Sequence, residues 1–311
     1  MKSSTGLYFS RLDHVRALAA FMVFFWHFTH VFVPFGHVPV LPPLSLFEEG
    51  HIGVGLFMTL SGYLFAKVTA GRDLDLARFY LNRLLRLAPL LLLVLLYWYA
   101  KGRFTAADIL PGLVFGGWPG GTWSIVVELH FYLVFPLLLW WQRRHPVRPL
   151  ALVLAAALLV RTAIWLAGGN VQDAAYWTIV GCIDFFVIGI MAAEFSRRFE
   201  LRAAAAPLLF LSVVLAIAAA HAFNLAGGFY GTRENLGWLW IIIPTLQAIL
   251  FAGLILGYEA LPVRIPGWID RPLARIGEVS YSIYLLHFIV FTALAKQLAA
   301  LGLPMADFTT S

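Results

Sequence analysis

The sequence predicts an all-α, polytopic transmembrane bundle of nine to ten spans. Three observations carry this reading. Hydrophobic residues form 61% of the 311-residue chain and charged residues only 12%, where a soluble domain carries about 25% charged residues. Nine apolar runs are long enough, or nearly so, to cross a hydrocarbon core about 30 Å thick. The lysines and arginines between those runs fall on alternate sides, as the positive-inside rule requires.

In chain order the predicted spans are 15–33, 51–68, 84–100, 123–141, 149–167, 177–195, 207–224, 237–257 and 279–301. The first is too long for a cleavable leader, and Pro34-Phe35-Gly36-His37 offers no small-residue cleavage site. Trp98, Tyr99, Trp123, Trp140, Trp141, Trp177 and Trp238 mark span edges as interfacial aromatics do. Residues 105–118 are apolar but short, and Pro111, Gly112, Gly116 and Gly117 interrupt them. They are expected to form a re-entrant or interfacial piece.

With the N-terminus assigned to the cytoplasm, the inner segments hold Lys2, Arg11 and Arg16; Lys67, Arg72, Arg78, Arg83 and Arg86; Arg143, Arg144 and Arg148; Arg197, Arg198 and Arg202; Arg264, Arg271 and Arg275. The outer segments hold only Lys101, Arg103 and Arg233. This inner collar accounts for the net charge of +6 without a nucleic-acid partner. Residues 1–311 are expected to form one integral-membrane domain with no appended soluble domain, and no internal repeat is evident. The single cysteine, Cys182, lies within a span, where burial disfavours the thiolate. Metal-ligand spacings, P-loops and dinucleotide-binding glycine patterns do not occur, so no metal is expected.

Four polar constellations stand out against this apolar background. Arg16 and His27 lie eleven residues apart in the first span. Three helical turns place both on one face, roughly 16 Å apart. Buried polar side chains cost free energy in a bilayer and commonly mark function. The pair reads as an anion anchor with a proton acceptor, or structurally as an anchor arginine with a core histidine. Arg83 and Arg86, three apart at the basic edge of the third span, present guanidinium forks that match phosphate oxygens. The same pattern also suits anionic lipid.

The third constellation, Gly121-Thr-Trp-Ser-Ile-Val-Val-Glu128, opens the fourth span from the other side. Glu128 then lies about 22 Å from the basic edge of the core, and His27 about 18 Å. That similarity makes His27 the expected partner of Glu128, which would orient the imidazole and stabilise its charged form. A purely structural helix-to-helix pair is the other reading. In the last span Ser280, Tyr284 and His287 recur at i, i+4 and i+7, a polar stripe suited to interhelical bonding or to a cavity wall. His30 and His130 are expected near the same cavity, and Arg161 and Asp184 as a buried structural bridge.

Taken in order, these segments make the chain resemble acyltransferase family 3, the multi-span membrane O-acyltransferases. Leu12-Asp13-His14-Val15-Arg16-Ala17 with His27 matches the family's opening pattern. Gly53-Val-Gly-Leu-Phe-Met-Thr-Leu-Ser-Gly-Tyr-Leu64 is similar to its second-span pattern. Arg83 and Arg86 with Pro89, Trp123-Ser124 with Glu128 and Phe131-Tyr132-Leu133, and Ser280-Tyr281-Ser282-Ile283-Tyr284-Leu285-Leu286-His287 complete the series. Gly55 stands where the family often has an acidic residue, and His14 replaces a common glycine. Members usually show about ten spans, and many carry an additional domain.

The resemblance implies transfer of an acyl group, commonly acetyl from acetyl-CoA, to a hydroxyl of a cell-surface or exported glycan or a related small molecule. It implies a bacterial-type inner membrane. By that reading His27 and Glu128 are catalytic, with His27 acting as base or accepting the acyl group itself. Arg16, Arg83 and Arg86 hold the acyl-CoA donor. Trp123, Ser124, Ser280, Tyr284 and His287 shape the acceptor side. A proton-coupled transporter of a small anionic or sugar-like substrate is the alternative, against which stands the absence of a repeat and of paired broken helices.

Overall fold

A computed structural model describes residues 9–33, 41, 42, 44–145 and 147–301. Lys2, the Pro34-Phe35-Gly36-His37 segment, the side chain of Arg233 and residues 302–311 lie outside the described residues. The described residues form helices without strands. They are α1 (Ser10–Phe32), α2 (Ser45–Glu48), α3 (Gly53–Thr69), α4 (Leu76–Ala100), α5 (Ile109–Phe115), α6 (Trp123–Arg144) and α7 (Arg148–Leu166). There follow α8 (Val171–Trp177), α9 (Ile179–Arg198), α10 (Ala205–Leu225), α11 (Gly228–Asn235), α12 (Ile243–Ala260), α13 (Gly267–Glu278) and α14 (Ser280–Ala300). Helices are the expected solution, because hydrocarbon offers no water to satisfy open backbone groups.

Each predicted span falls largely on one long helix. Eight are long and apolar enough to cross a membrane: α3 with the turn before it, α4, α6, α7, α9, α10, α12 and α14. The first run lies on α1, whose 23 residues extend about 34 Å. The run at 237–257 divides into a 3-10 turn, Gly237–Ile241, and α12. Pro244 in the first turn of α12 has no N–H to offer an earlier carbonyl and so suits a helix start. Residues 105–118 contain a 3-10 turn, closed by a reciprocal Thr105–Asp108 capping box, and then α5. Gly116, at φ 82°, ends α5. The apolar piece Ala106–Phe115 extends only about 15 Å, half the hydrocarbon thickness.

The core gathers around α9, which is buried along Gly181–Ile190 and packs against α3, α12 and α7. Small residues permit the closest approach. A Cβ on Gly62 would meet the Phe186 carbonyl oxygen at 2.1 Å, and one on Gly189 would meet that of Thr59 at 2.1 Å. Such backbone contact is how membrane helices gain dispersion energy that lipid does not already supply. Helix α1 packs against α3, α13 and α14, and so joins the core to the last span.

Several buried polar groups pair across the bundle. Arg161 and Asp184 are fully buried. Their guanidinium and carboxylate meet at 2.8 and 3.2 Å, with the Gly181 carbonyl at 3.1 Å and the Thr245 hydroxyl donating to Asp184. At the basic end, Arg11 donates to the carbonyls of Tyr258, Glu259, Leu261 and Val263, closing the acceptors left open at the end of α12. His14 is buried, its ring bonded to the Tyr258 hydroxyl at 2.7 Å and the Asp270 carbonyl at 3.0 Å. It pins α1 to α12 and α13, where a glycine would make no such bonds. At the other end Glu49 accepts from Asn224 at 3.3 Å. Burial, with the nearby Glu48 carboxylate adding to it, pushes Glu49 up to about 8.

Asp184→Ala leaves Arg161 charged and unpaired in the core. Unfolding of the purified protein should show a loss of about 3–5 kcal/mol, while Arg161→Met with Asp184→Leu together should lose far less. A single-variant loss below ~1 kcal/mol, the range of an exposed pair, would contradict the structural role.

Candidate functional site at the junction of the first, fourth and last spans

His27 lies near the far end of α1, its ring half-buried. Rings enclose it: Trp26 at 4.5 Å, Phe288 at 4.4 Å and His287 at 4.7 Å between centroids. Its Nδ1 lies 2.9 Å from the Val23 carbonyl, one turn back. A carbonyl only accepts, so the network assigns the hydrogen to Nδ1 and the lone pair of the neutral ring to Nε2. The same Nδ1 lies 3.2 Å from Nε2 of His287 on α14. The spans at the two ends of the described chain thus meet through their imidazoles.

Helix α6 supplies the third wall. The Ser124 hydroxyl donates to the Tyr284 hydroxyl at 2.7 Å, which donates to the Gly121 carbonyl at 2.9 Å. His287 is buried and bonds through Nδ1 to the Tyr284 carbonyl. Gly121 has φ 74°, and a Cβ there would lie 2.5 Å from the Phe288 ring that covers His27. Trp123 is buried against Tyr176 and Trp177, both at 4.8 Å. With His51, Tyr176 and Trp240 it lines a cavity of about 20 Å³, room for about one water.

Glu128 sits differently from the sequence expectation. The hydroxyl of Tyr132, one turn further along α6, donates to it. Glu128 and Arg86 both lie within electrostatic reach of Arg16, and Glu128, Arg83 and Arg86 all act on Tyr132. The carboxylate therefore belongs with the arginines, and the ring against His27 is His287. Depth alone could not decide this, because helix rotation selects the neighbour. A guanidinium, charged at every accessible pH, is a stronger partner for a carboxylate than a buried imidazole.

Arg16 is half-buried and bonds to Asp13. Arg83 lies over Phe65 at 5.0 Å, Phe79 at 5.9 Å and Tyr132 at 6.0 Å, and its Nε is buried without a hydrogen-bond acceptor. Arg86 is exposed. Ser280 is buried at the start of α14, seven residues and about 10 Å from His287. It lies apart from the imidazoles, although sequence spacing put it on their stripe. His130 bonds to the Leu113 carbonyl at 2.8 Å and ties α6 to α5. His30 lies 3.7 Å from Glu48, one turn beyond His27.

Sequence reasoning passed over Tyr132, Trp26, Phe288 and Tyr281, whose hydroxyl donates to the Leu87 carbonyl at 2.7 Å and ties α14 to α4. The i, i+4 spacing of Glu128 and Tyr132 was the available signal for the first. The aromatic neighbours of His27 had none, being indistinguishable from lipid-facing rings in a chain with 26 phenylalanines.

The acyltransferase-domain family model matches residues 9–310, and the chain belongs to that family, the one its motifs resemble. Among relatives, BcsY of Komagataeibacter xylinus, whose name describes a membrane-bound transacylase, is 28% identical over 272 residues, covering 78% of this chain. The acyltransferase MdmB of Streptomyces mycarofaciens is 26% identical over 287 residues, 79% of this chain. The peptidoglycan O-acetyltransferase OatA of Listeria monocytogenes is 24% identical over 340 residues, 92% of this chain. The matches span 66%, 70% and 50% of the lengths of those relatives. No solved structure matches the chain.

Gly121→Ala should destabilise the protein by about 1–3 kcal/mol, from the left-handed backbone and the displaced Phe288. Gly117→Ala, where an added Cβ meets nothing within 4 Å, should change stability by less than about 0.5 kcal/mol. Equal unfolding temperatures for the two variants would contradict the packing described here.

Proposed function

We propose that the protein is a membrane O-acyltransferase that moves an acyl group, which we assign as acetyl, from acyl-CoA to a hydroxyl of a cell-surface or exported glycan or a related small molecule. The observation that carries the reading is His27, whose Nδ1 hydrogen is committed to the Val23 carbonyl, so that Nε2 carries the lone pair that takes a proton. Membership of the acyltransferase family and the O-acetyltransferase among the relatives support the reaction class.

Arg16, Arg83 and Arg86 hold the phosphates of the donor. Their surroundings fit an anionic ligand. Three guanidinium groups gather with two carboxylates, Glu128 and Asp13, and the buried Nε of Arg83 lacks an acceptor. Glu128 and Tyr132 keep the guanidinium groups positioned when no anion is bound. The basic end faces the cytoplasm, with the N-terminus, in a bacterial-type inner membrane.

The donor's thioester then reaches His27 along the bundle. Nε2 of His27 takes the proton of the acceptor hydroxyl as its oxygen attacks the thioester carbonyl. The carbon–sulfur bond breaks, and His27 returns the proton to the leaving sulfur, giving an ester and a free thiol. Phe288 and Trp26 exclude water from the imidazole. Trp123, with Tyr176 and Trp177, walls the acceptor side. Ser124 and Tyr284 spend their hydrogens on each other and on Gly121, so they position α14 against α6.

Purified protein in lipid should release free thiol from acetyl-CoA with a small polyol as acceptor, and His27→Ala should abolish release while folding and inserting normally. Arg83→Ala with Arg86→Ala should weaken donor binding at least about tenfold, the scale of losing charge-assisted bonds, with acceptor binding little changed. Release by His27→Ala at the wild-type rate would remove His27 from the mechanism. Equal loss of donor and acceptor binding in the arginine variant would make those arginines structural.

A further inference from the structure

We propose that His287 is the positioning partner of His27, so that the two imidazoles of the first and last spans work as one acid–base unit. This rests on the reading of His27 as the proton acceptor. Both rings have a hydrogen fixed by a backbone carbonyl. Nδ1 of His287 points at the Tyr284 carbonyl and Nδ1 of His27 at the Val23 carbonyl, and a carbonyl accepts only. Each neutral ring therefore carries its lone pair on Nε2.

The consequence is directional. Nε2 of His287 is a second acceptor for Nδ1–H of His27, at 3.2 Å beside the Val23 carbonyl at 2.9 Å, on the side of the ring where a carboxylate orients the base of a hydrolytic triad. When Nε2 of His27 takes the hydroxyl proton, the ring becomes an imidazolium with donors at both nitrogens. The Nδ1 donor already faces a lone pair, and the hydrogen bond strengthens as charge develops. The proton taken at Nε2 passes on to the leaving sulfur, and the Nδ1 hydrogen stays on His27, shared between the Val23 carbonyl and Nε2 of His287.

Burial and packing suit this role. His287 is 3% exposed, while His27 is half-buried and presents its ring to the site. His287 is itself held by its bond to Tyr284, and Tyr284 by Ser124 and the Gly121 carbonyl. The ring that supports the base is thus fixed to α6, which also carries Trp123 on the acceptor side. Sequence spacing alone placed His287 on the substrate stripe; the contact assigns it to the base instead.

Four proteins in lipid test this, by thiol release and ester formation with acetyl-CoA and a small polyol: wild type, His27→Ala, His287→Leu and His287→Gln. Leucine keeps the apolar bulk and removes the acceptor; glutamine restores an acceptor oxygen. His287→Leu should lose about 10²–10³-fold in kcat, within the range of general-base contributions, with the donor KM within about threefold and an unfolding temperature near wild type. His287→Gln should recover at least about tenfold of that loss. Imidazole nitrogen NMR should show His27 as the Nδ1–H tautomer in wild type and in His287→Leu, held by the Val23 carbonyl, with its Nδ1 resonance shifted in the variant by loss of the second acceptor. His287→Leu at the wild-type kcat, with His27→Ala inactive, overturns the role of His287 and leaves His27 as base. Glutamine no better than leucine also overturns it, since bulk alone would then matter. Wild-type turnover by His27→Ala overturns the reading of His27 and this one with it.

Discussion

The contact between His27 and His287 closes the bundle at its chemically informative level. It joins α1 to α14 within the bundle, and a buried imidazole costs free energy that a second imidazole offsets. From there the bonds run on without a gap. His287 rests on Tyr284, Tyr284 on the Gly121 carbonyl, and Ser124 on Tyr284. Three helices far apart in sequence are therefore set in register by a short chain of polar side chains. The position of Trp123, the shape of the Gly121 turn and the lie of Phe288 all follow from that register.

A second polar group sits toward the basic end, and its separation from the imidazoles gives the bundle two polar levels. Arg16, Arg83, Arg86, Glu128 and Tyr132 share one electrostatic neighbourhood. Three cations against Glu128 and Asp13 leave a positive excess there. The imidazole level is built of neutral rings and hydroxyls. In the proposed mechanism an anionic donor seated at the first level extends an uncharged arm to the second. Helix α1 spans both, with Arg16 and His27 three turns apart, and it packs against α3 and α13. The fully buried Arg161–Asp184 bridge lies in another part of the bundle and is structural, fixing α7 against α9.

Much of the fold was legible because a bilayer imposes long apolar runs and an alternating charge pattern. All nine predicted spans lie on helices, and the 105–118 piece is too short to cross. The edges at 237–242 were not legible, since a 3-10 turn rich in tryptophan and leucine has the same hydropathy as a helix. The contacts of the candidate site were only partly legible. Spacing put Arg16 with His27 and Tyr284 with His287 on common faces, because both pairs lie on single helices. The partner of Glu128 depended on how α6 is rotated about its axis, which depth does not encode. His14 shows the same limit: a departure from the family pattern in sequence, it is a bridge to Tyr258 and Asp270 in the structure.

A donor held at the basic end and a base seated deeper in the bundle are the two halves of the proposed mechanism. Proteoliposomes of a single known orientation, with labelled acetyl-CoA confined to one side and a membrane-impermeant polyol on the other, test that arrangement most directly. Labelled ester should form on the polyol when the donor faces the arginine end, and none should form when the two are exchanged. Equal ester formation in both arrangements, or none in either with acetyl-CoA binding intact, would contradict it.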